Sequence, residues 1–490
     1  KKFSTIILTI SFLLLIYTFY KSEIIWDGNN RNYYKTYYFI SLILIFLSII
    51  TFFINYKIKQ YLIISGISLV VSLYLFEGYL TLKEQLSKEQ LSKEQLSKEQ
   101  LSKELLSKEL LSKEQLYENK TGNKWDRRTK IQIYKELIKI DKKIVVTIPP
   151  YLYVIKNKSS LIPLSGVSNS KTILCNENGY YSIYKSDRFG FNNPDEEWDK
   201  KEIEYLLVGD SFTHGACINR PNDISSVLRN LSNKSVLNLG QIGNGPLIEY
   251  ATLREYLDTN VKKVLWIYFE DNDLTDLENE KKNNILIKYL KDLNFTQNLK
   301  LNQNKIDYLG INLIKEPEIL ESVLSSGKLE IKKEKEKEKE KEKEKEKEKD
   351  REKEKDREKE KDRETLNNLI KFIKINNTRH LILPAPAQAQ APEFNKILQL
   401  TKELTNKNNS KLYFVYLPDY GRYKINYDNT NYNLVKNIVT ELKIPFIDLH
   451  KEVFEKEHNP LILFPFELHG HYNIEGYKKV AETIYKFTKD

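Results

Sequence analysis

The sequence predicts an α/β domain, a parallel sheet covered by helices on both faces, carried behind helices that cross a membrane. Two observations carry that prediction. Beyond about residue 200 short apolar runs alternate with amphipathic segments, the pattern of buried strands joined by crossover helices. Near the N-terminus three uncharged apolar runs follow one another, Phe3 to Tyr20, Thr36 to Tyr56 and Gln60 to Phe76.

A helix rises about 1.5 Å per residue, so roughly 17 to 25 apolar residues cross a hydrocarbon core. Residues 1–81 are therefore expected to form three transmembrane helices. The first run is longer than a signal-peptide core and ends in Tyr-Thr-Phe-Tyr, so an uncleaved helix is expected. Lys1 and Lys2 before it, and Lys57 and Lys59 between the second and third runs, mark cytoplasmic segments. Three spans then place everything after Glu77 outside, at the outer face of a bacterial inner membrane.

Residues 82–124 carry the tandem repeat LSKEQ, with leucine every fifth residue from Leu86 to Leu116. Five residues turn a helix by about 500°, so successive leucines drift by roughly 140° and no coiled-coil seam forms. Leu, Lys, Glu and Gln still favour helix, and the segment reads as a helical stalk. Residues 125–200 read as a lead-in or cap, and 201–490 as the α/β domain. A charged insertion at 331–365, KEKEKE and KDREKEKDRE, interrupts it as a solvated surface loop.

The strand candidates are Glu204 to Val208, Ser235 to Leu239, Lys263 to Phe269, Leu412 to Leu417 and Pro445 to Leu449, with His380 to Leu383 as a further short run. Helix candidates are Ile224 to Leu231, Pro246 to Leu257, Phe394 to Thr405, Asn433 to Leu442 and Gly476 to Phe487. The net charge of +10 comes from 78 basic and 68 acidic residues that are interleaved, which does not suggest nucleic acid. The six histidines lack metal-ligand spacing and no phosphate-cradling glycine loop is present, so neither metal nor cofactor is expected. Cys175 and Cys217 could pair in an oxidising compartment, but they are read here as free thiols.

Chemistry is expected beyond the carboxyl ends of the strands. There the chain reads GDSFTHG after the first strand, NLGQIGNGPL after the second, YFEDNDL after the third, and FELHGHYNIEGYKKVAETI before the last helix. This ordered set resembles the four blocks of the SGNH, or GDSL-type, hydrolase family. The resemblance covers about residues 190–489, and the chain looks like a membrane-anchored bacterial member. It implies a flavodoxin-like three-layer α/β/α domain and a serine acyl-enzyme mechanism.

Carried over block by block, the resemblance makes Ser211 the nucleophile and His471 the general base, with His469 as the competing histidine. It also makes Ser211, Gly243 and Asn272 the oxyanion donors, with Gly240 as the alternative glycine. The family's aspartate three residues before the histidine is absent, since position 468 is leucine. Glu467 is the expected substitute, ahead of Asp448 at the end of a strand or a dyad in which a backbone carbonyl orients His471. Glu270 and Asp271 also stand where a glycine is common. Asn473 is expected to cap the last helix, with Ile474, Tyr477, Val480, Ala481 and Ile484 on its inner face. His214 is expected on the first helical turn after Ser211, and Asp187, Arg188 and Asn192 in a turn-rich lead-in beside the site.

These readings point to an esterase acting on O-acyl groups of an envelope substrate such as a polysaccharide, with lipid as the second substrate class. An O-acyltransferase would use the same residues with a sugar hydroxyl as acceptor. A non-catalytic glycan-binding scaffold is the reading from another class.

Overall fold

The computed structural model describes residues 2–25, 28, 31–156, 161–315, 372–375, 378, 391–423 and 427–489, with all their side chains except those of 25, 32, 84–111, 155 and 156. The charged insertion and the His380 to Leu383 run lie outside the described residues. The chain divides into two compact units, Lys1–Ser102 with Lys332–Gln390, and Lys103–Ile331 with Ala391–Asp490.

In the first unit, α1 (Lys2–Phe19), α2 (Arg31–Ile50) and the start of α3 (Tyr56–Thr121) are three helices long and apolar enough to cross a membrane. Helix α1 buries Ser4, Ser11 and Thr18, one residue every two turns. Ser11 Oγ lies 3.1 Å from Ser48 Oγ of α2, and Ser4 Oγ donates to the Thr51 carbonyl at 3.2 Å. Small hydroxylated residues that let backbones approach form the seam, a kind of contact common between apolar helices. The LSKEQ repeat falls inside α3, as its composition favours.

The second unit contains two sheets. A small one joins β1 (Ile144–Val146), β2 (Lys171–Ile173) and β3 (Ile183–Lys185), with β1 parallel and β3 antiparallel to β2. Helices α4 (Lys130–Ile140) and α5 (Pro150–Lys156) flank β1 in the chain. The main sheet is formed by β4 (Ile203–Gly209), β5 (Val236–Asn238), β6 (Val261–Phe269), β7 (Lys411–Leu417) and β8 (Phe446–Asp448), all parallel, in the order β5-β4-β6-β7-β8. Numbered within the sheet this order is 2-1-3-4-5, the flavodoxin-like winding.

From Ser211 onward the described α-helices of this unit, in chain order, are α6 (Ser211–His214), α7 (Ile224–Ser232), α8 (Pro246–Tyr256), α9 (Asp273–Glu280), α10 (Asn284–Lys291), α11 (Gln303–Lys315), α12 (Pro392–Lys407), α13 (Thr430–Glu441), α14 (Leu449–Glu452) and α15 (Ile474–Thr488). One face of the sheet, with Tyr205, Leu207, Leu265, Ile267 and Val415, packs into a core with Ile224 and Leu228 of α7 and Tyr477, Val480, Ala481 and Ile484 of α15. On the other face α8 packs against β4, and Phe394 of α12 meets the rings of Tyr268 and Phe414. Successive residues of a strand point to opposite faces, and since both faces are covered the middles of β4, β6 and β7 are apolar, while Glu204 of β4 and Lys263 of β6 are paired with each other at 2.7 Å. That makes three layers, α/β/α, as expected. Ile474 departs from its expected inward place: it opens α15 beside the Asn473 cap and is exposed.

Candidate active site

Helix winding reverses between β4 and β6, and the crevice beyond their carboxyl ends is where ligands bind in sheets of this kind. Ser211 sits there. Strand β4 ends at Gly209, where a Cβ would stand 2.6 Å from the Ile267 carbonyl and closer still to Thr213 Oγ1, so the chain can turn sharply only without a side chain. Asp210 caps the turn that follows by accepting from the Phe212 N–H at 2.9 Å. Ser211 is thereby the first residue of α6, only partly buried, with its hydroxyl at the mouth of the crevice.

The hydroxyl has two acceptors within reach, His471 Nε2 at 2.9 Å and Asp210 Oδ2 at 3.4 Å, and the shorter contact to the imidazole dominates. His471 is held just ahead of α15, whose cap Asn473 accepts from the Gly476 N–H at 2.9 Å and donates to the Ile462 and Phe464 carbonyls. Phe212 packs on the imidazole with ring centroids 4.7 Å apart. His469 is exposed, and its ring lies 5.7 Å from that of Tyr420.

The carboxylate behind His471 is Glu177, a residue absent from the sequence-based set. Glu177 Oε1 lies 3.0 Å from His471 Nδ1, and Oε2 accepts from the His471 backbone N–H at 2.7 Å. Glu467 does not take that place. Phe466 and Glu467 both adopt left-handed φ, which turns the Glu467 carboxylate away to accept from Asn459 Nδ2 at 2.9 Å. Asp448 is also engaged elsewhere, accepting from Tyr432 Oη at 2.6 Å and capping α14. The imidazole is oriented by a carboxylate, not by a backbone carbonyl.

Burial alone would lower the His471 pKa, but the charge and hydrogen bond of Glu177 outweigh it and hold the imidazole above its ordinary value. Burial alone would raise Glu177, yet the charge of His471, its hydrogen bonds and Lys113 pull that carboxyl down to about 2. A neutral imidazole tautomer carrying its proton on Nδ1 leaves Nε2 free to accept from Ser211.

Glu177 reaches the site because Cys175 and Cys217 are joined by a disulfide, which corrects the reading of both as free thiols. Cys217 follows α6 and Cys175 precedes Glu177 by two residues, so the bond ties the loop between β2 and β3 to the segment that follows Ser211. Had the pair been taken as joined, the only acid within three residues of either cysteine would have been a candidate. The lead-in is knit to the same region: Asn192 Nδ2 donates to the His214 carbonyl at 3.0 Å and Asn193 Nδ2 to the Asn238 carbonyl at 3.0 Å. Asp187 accepts from Trp198 Nε1 and Asn193 Nδ2, and Arg188 pairs with Asp195 and Asp199. His214 is fully buried, with its ring 5.0 Å from Tyr184 of β3.

Gly243 lies in the turn after β5 and Asn272 directly after β6, on the two sides of Ser211 in strand order. Gly243 has φ +71°, and a Cβ there would meet the Tyr151 ring at 2.6 Å. Gly240 is instead pressed against the His214 backbone N–H, where a Cβ would come within 2.6 Å. The Asn272 amide donates to Asp276 Oδ2 at 2.7 Å, a bond that uses one of its two hydrogens. Glu270, in the position where a glycine is common, is a buried structural acid: Arg422 Nε and Nη2 donate to it at 2.7 to 2.9 Å, joined by the Tyr416 hydroxyl and the Asp419 N–H. It ties the loop after β6 to the loop after β7.

Among the described residues, Glu177, Cys217 and His471 are the one group of potential metal-ligand side chains drawn together, and the disulfide occupies the sulfur.

The fold and site define an α/β domain of flavodoxin-like winding with a serine, a histidine and a glutamate in line at its switch point. No family model matches the chain, and no curated protein matches it. Solved structures do match. One is provisionally described as a lipolytic protein of the G-D-S-L family from Desulfitobacterium hafniense DCB-2, and the match covers 58% of this chain and 99% of that one at 13% identity and a TM-score of 0.27.

Proposed function

We propose that the protein is a membrane-anchored serine esterase of SGNH type that removes O-acyl groups from an envelope substrate, of which an acylated polysaccharide is the favoured class. The observation that carries this reading is the line Ser211 Oγ, His471, Glu177, with contacts of 2.9 and 3.0 Å. A serine hydroxyl is a weak nucleophile until a neighbouring base takes its proton, and an imidazole held by a carboxylate is such a base.

In this mechanism Ser211 Oγ attacks the ester carbonyl while its proton passes to His471 Nε2. The imidazolium so formed is stabilised by Glu177 and returns the proton to the leaving alkoxide. The acyl group then rests on Ser211, and water activated by the same imidazole releases it as a carboxylic acid. The Ser211 and Gly243 backbone N–H groups and the Asn272 amide are assigned to the oxyanion, where each such donor contributes about 3 to 4 kcal/mol. If a sugar hydroxyl enters in place of water, the same residues perform acyl transfer.

A disulfide beside the site fits an oxidising compartment outside the cytoplasm. A substrate near the membrane surface follows from that placement. Fluorophosphonate labelling and short-chain aryl-ester turnover by the full chain in detergent are expected for wild type and absent in Ser211→Ala and His471→Ala. A folded wild type that neither labels nor turns over would favour the glycan-binding scaffold. A phosphatase reporter joined after Asp490 is expected to be active only from the outer side.

A further inference from the structure

The proposed chemistry makes no use of the two cysteines, yet they sit beside it. Cys217 Sγ lies 4.0 Å from His471 Nδ1, and its partner Cys175 stands two residues from Glu177. The loop that carries Glu177 belongs to the small sheet and not to the five strands that position Ser211. Its neck is closed by the Leu174 N–H donating to the Ser182 carbonyl and the Ser182 N–H to the Cys175 carbonyl, both at 2.9 Å. Toward the nucleophile's side it is held by the disulfide and by Asn178 Nδ2, which donates to the Cys217 carbonyl at 3.0 Å. Of these two ties one is covalent and the other a single neutral hydrogen bond; elsewhere the loop is bonded to Asp126, whose carbonyl accepts from Asn176 Nδ2 at 3.0 Å and whose N–H donates to the Gly179 carbonyl at 2.9 Å, bonds that reduction leaves in place. Both oxygens of Glu177 are spent on His471, at 2.7 and 3.0 Å, so a small retreat of the loop breaks the pair.

We propose that the Cys175–Cys217 cross-link is a redox-set positioning device: as a disulfide it holds Glu177 against His471, and its reduction lets the loop withdraw and slows the chemistry at Ser211. The inference rests on the esterase reading. Reduction by a dithiol proceeds by thiol–disulfide exchange. A thiolate of the dithiol attacks one sulfur, the protein S–S bond breaks, and the other cysteine leaves as a thiolate that takes up a proton. The second thiol of the reagent then displaces the first cysteine, so two electrons and two protons pass to the protein and the reagent ends as a cyclic disulfide. Neither cysteine touches the reacting ester; they act through Glu177.

The test compares oxidised and dithiothreitol-reduced full chain in detergent, as wild type and as Glu177→Gln, with free thiols counted and both aryl-ester turnover and fluorophosphonate labelling measured. Reduction is expected to lower wild-type kcat by about 10²-fold, the scale of a 1 Å misplacement, with KM little changed. His471 is faced by Glu177 from the loop, Lys113 from α3 and Asp210 from the end of β4. Of these only Glu177 is released, and the Cys217 thiol that reduction frees 4.0 Å from Nδ1 is of a type that stays neutral on an acidic limb, so that limb of the rate profile should move to lower pH on reduction. In Glu177→Gln reduction should change nothing, and reoxidation should restore the wild type. A reduced wild type with two titrated thiols and unaltered kcat overturns the proposal. So does an equal loss in Glu177→Gln, which would mean that the cross-link supports the fold at large. If the oxidised wild type itself neither labels nor turns over, the esterase reading is what has failed, and the redox device falls with it.

Discussion

His471 Nδ1 and Glu177 Oε1 stand 3.0 Å apart although 294 residues separate them in the chain. The acid of this line thus comes from ahead of the nucleophile, on a different sheet from the serine, while Glu467 is turned toward Asn459. Exchanging the carboxylate for an amide keeps the shape but removes the charge that stabilises the imidazolium. Glu177→Gln is expected to lower kcat by about 10² to 10⁴-fold, the upper figure being that of the analogous change in a serine protease. Glu467→Gln should leave kcat within about twofold, since surface substitutions that break no buried contact change little. Steady-state kinetics on the two variants decides between the acids, and the reverse ranking would remove Glu177 from the site.

The pH profile follows from the same pair. His471 acts as a base only when neutral, so the rate falls as pH drops through its pKa, which Glu177 holds above the ordinary value near 6.5. The acidic limb of kcat/KM is therefore expected to have its midpoint above 6.5. Loss of the negative partner in Glu177→Gln should move that midpoint to lower pH by about one unit or more. Lys113 and Asp210 also face the imidazole and are unchanged by the substitution, so the shift reports Glu177 alone. A midpoint that stays put in the variant would mean that the carboxylate does not set the base.

Much of this architecture is legible in the sequence, for physical reasons that differ from element to element. The middles of β4, β6 and β7 are apolar on both faces, so these strands stand out in the sequence as runs whose ends fall within two residues of the observed ones. The histidine is legible because Asn473 and the inward residues of α15 mark a helix start just after it. Glu177 is not legible in this way. It lies in a loop between two three-residue strands, too short for any periodicity to show, and long-range ties, the bond between Cys175 and Cys217 and the Asn178 contact to the Cys217 carbonyl, hold it at the site. The seam between α1 and α2 was equally hidden, because hydropathy counts Ser11 and Ser48 against a span while packing uses them to join two helices.

His214 should make the domain sensitive to acid. Burial beneath the lead-in pulls its imidazole down from 6.5 to about 4, although Asp223 acts in the opposite direction. A depressed folded pKa means that the unfolded chain takes up the proton first as pH falls. Stability contributed by neutral His214 is then fully present above about 6.5 and is lost progressively as pH falls toward 4. At full effect the loss is roughly 3 kcal/mol. His214→Phe keeps an aromatic ring against Tyr184 without a titrating group, so its melting temperature should fall less between pH 7 and pH 4.5 than that of wild type. Parallel melting curves for the two proteins would remove His214 as the source of acid sensitivity.

Glu270 forms a buried pair with Arg422, and a glycine in its place would leave that pair broken. The Arg422 guanidinium is 8% exposed and points both Nε and Nη2 at Glu270. Glu270→Gly would leave that cation buried with no opposite charge, and the Tyr416 hydroxyl and Asp419 N–H without their acceptor. Removing one partner of a buried pair costs about 3 to 5 kcal/mol, whereas replacing both by apolar groups is often neutral. For a unit of this size a loss of about 3 kcal/mol lowers the melting temperature by about 4 °C. The double variant Glu270→Leu with Arg422→Met should recover most of it. Because the pair joins the loop that bears Asn272 to the loop after β7, the single variant should also lose turnover at temperatures where it is still folded. A single variant that melts with wild type would show that the pair contributes nothing, and Asn272 would then have to be held by Asp276 alone.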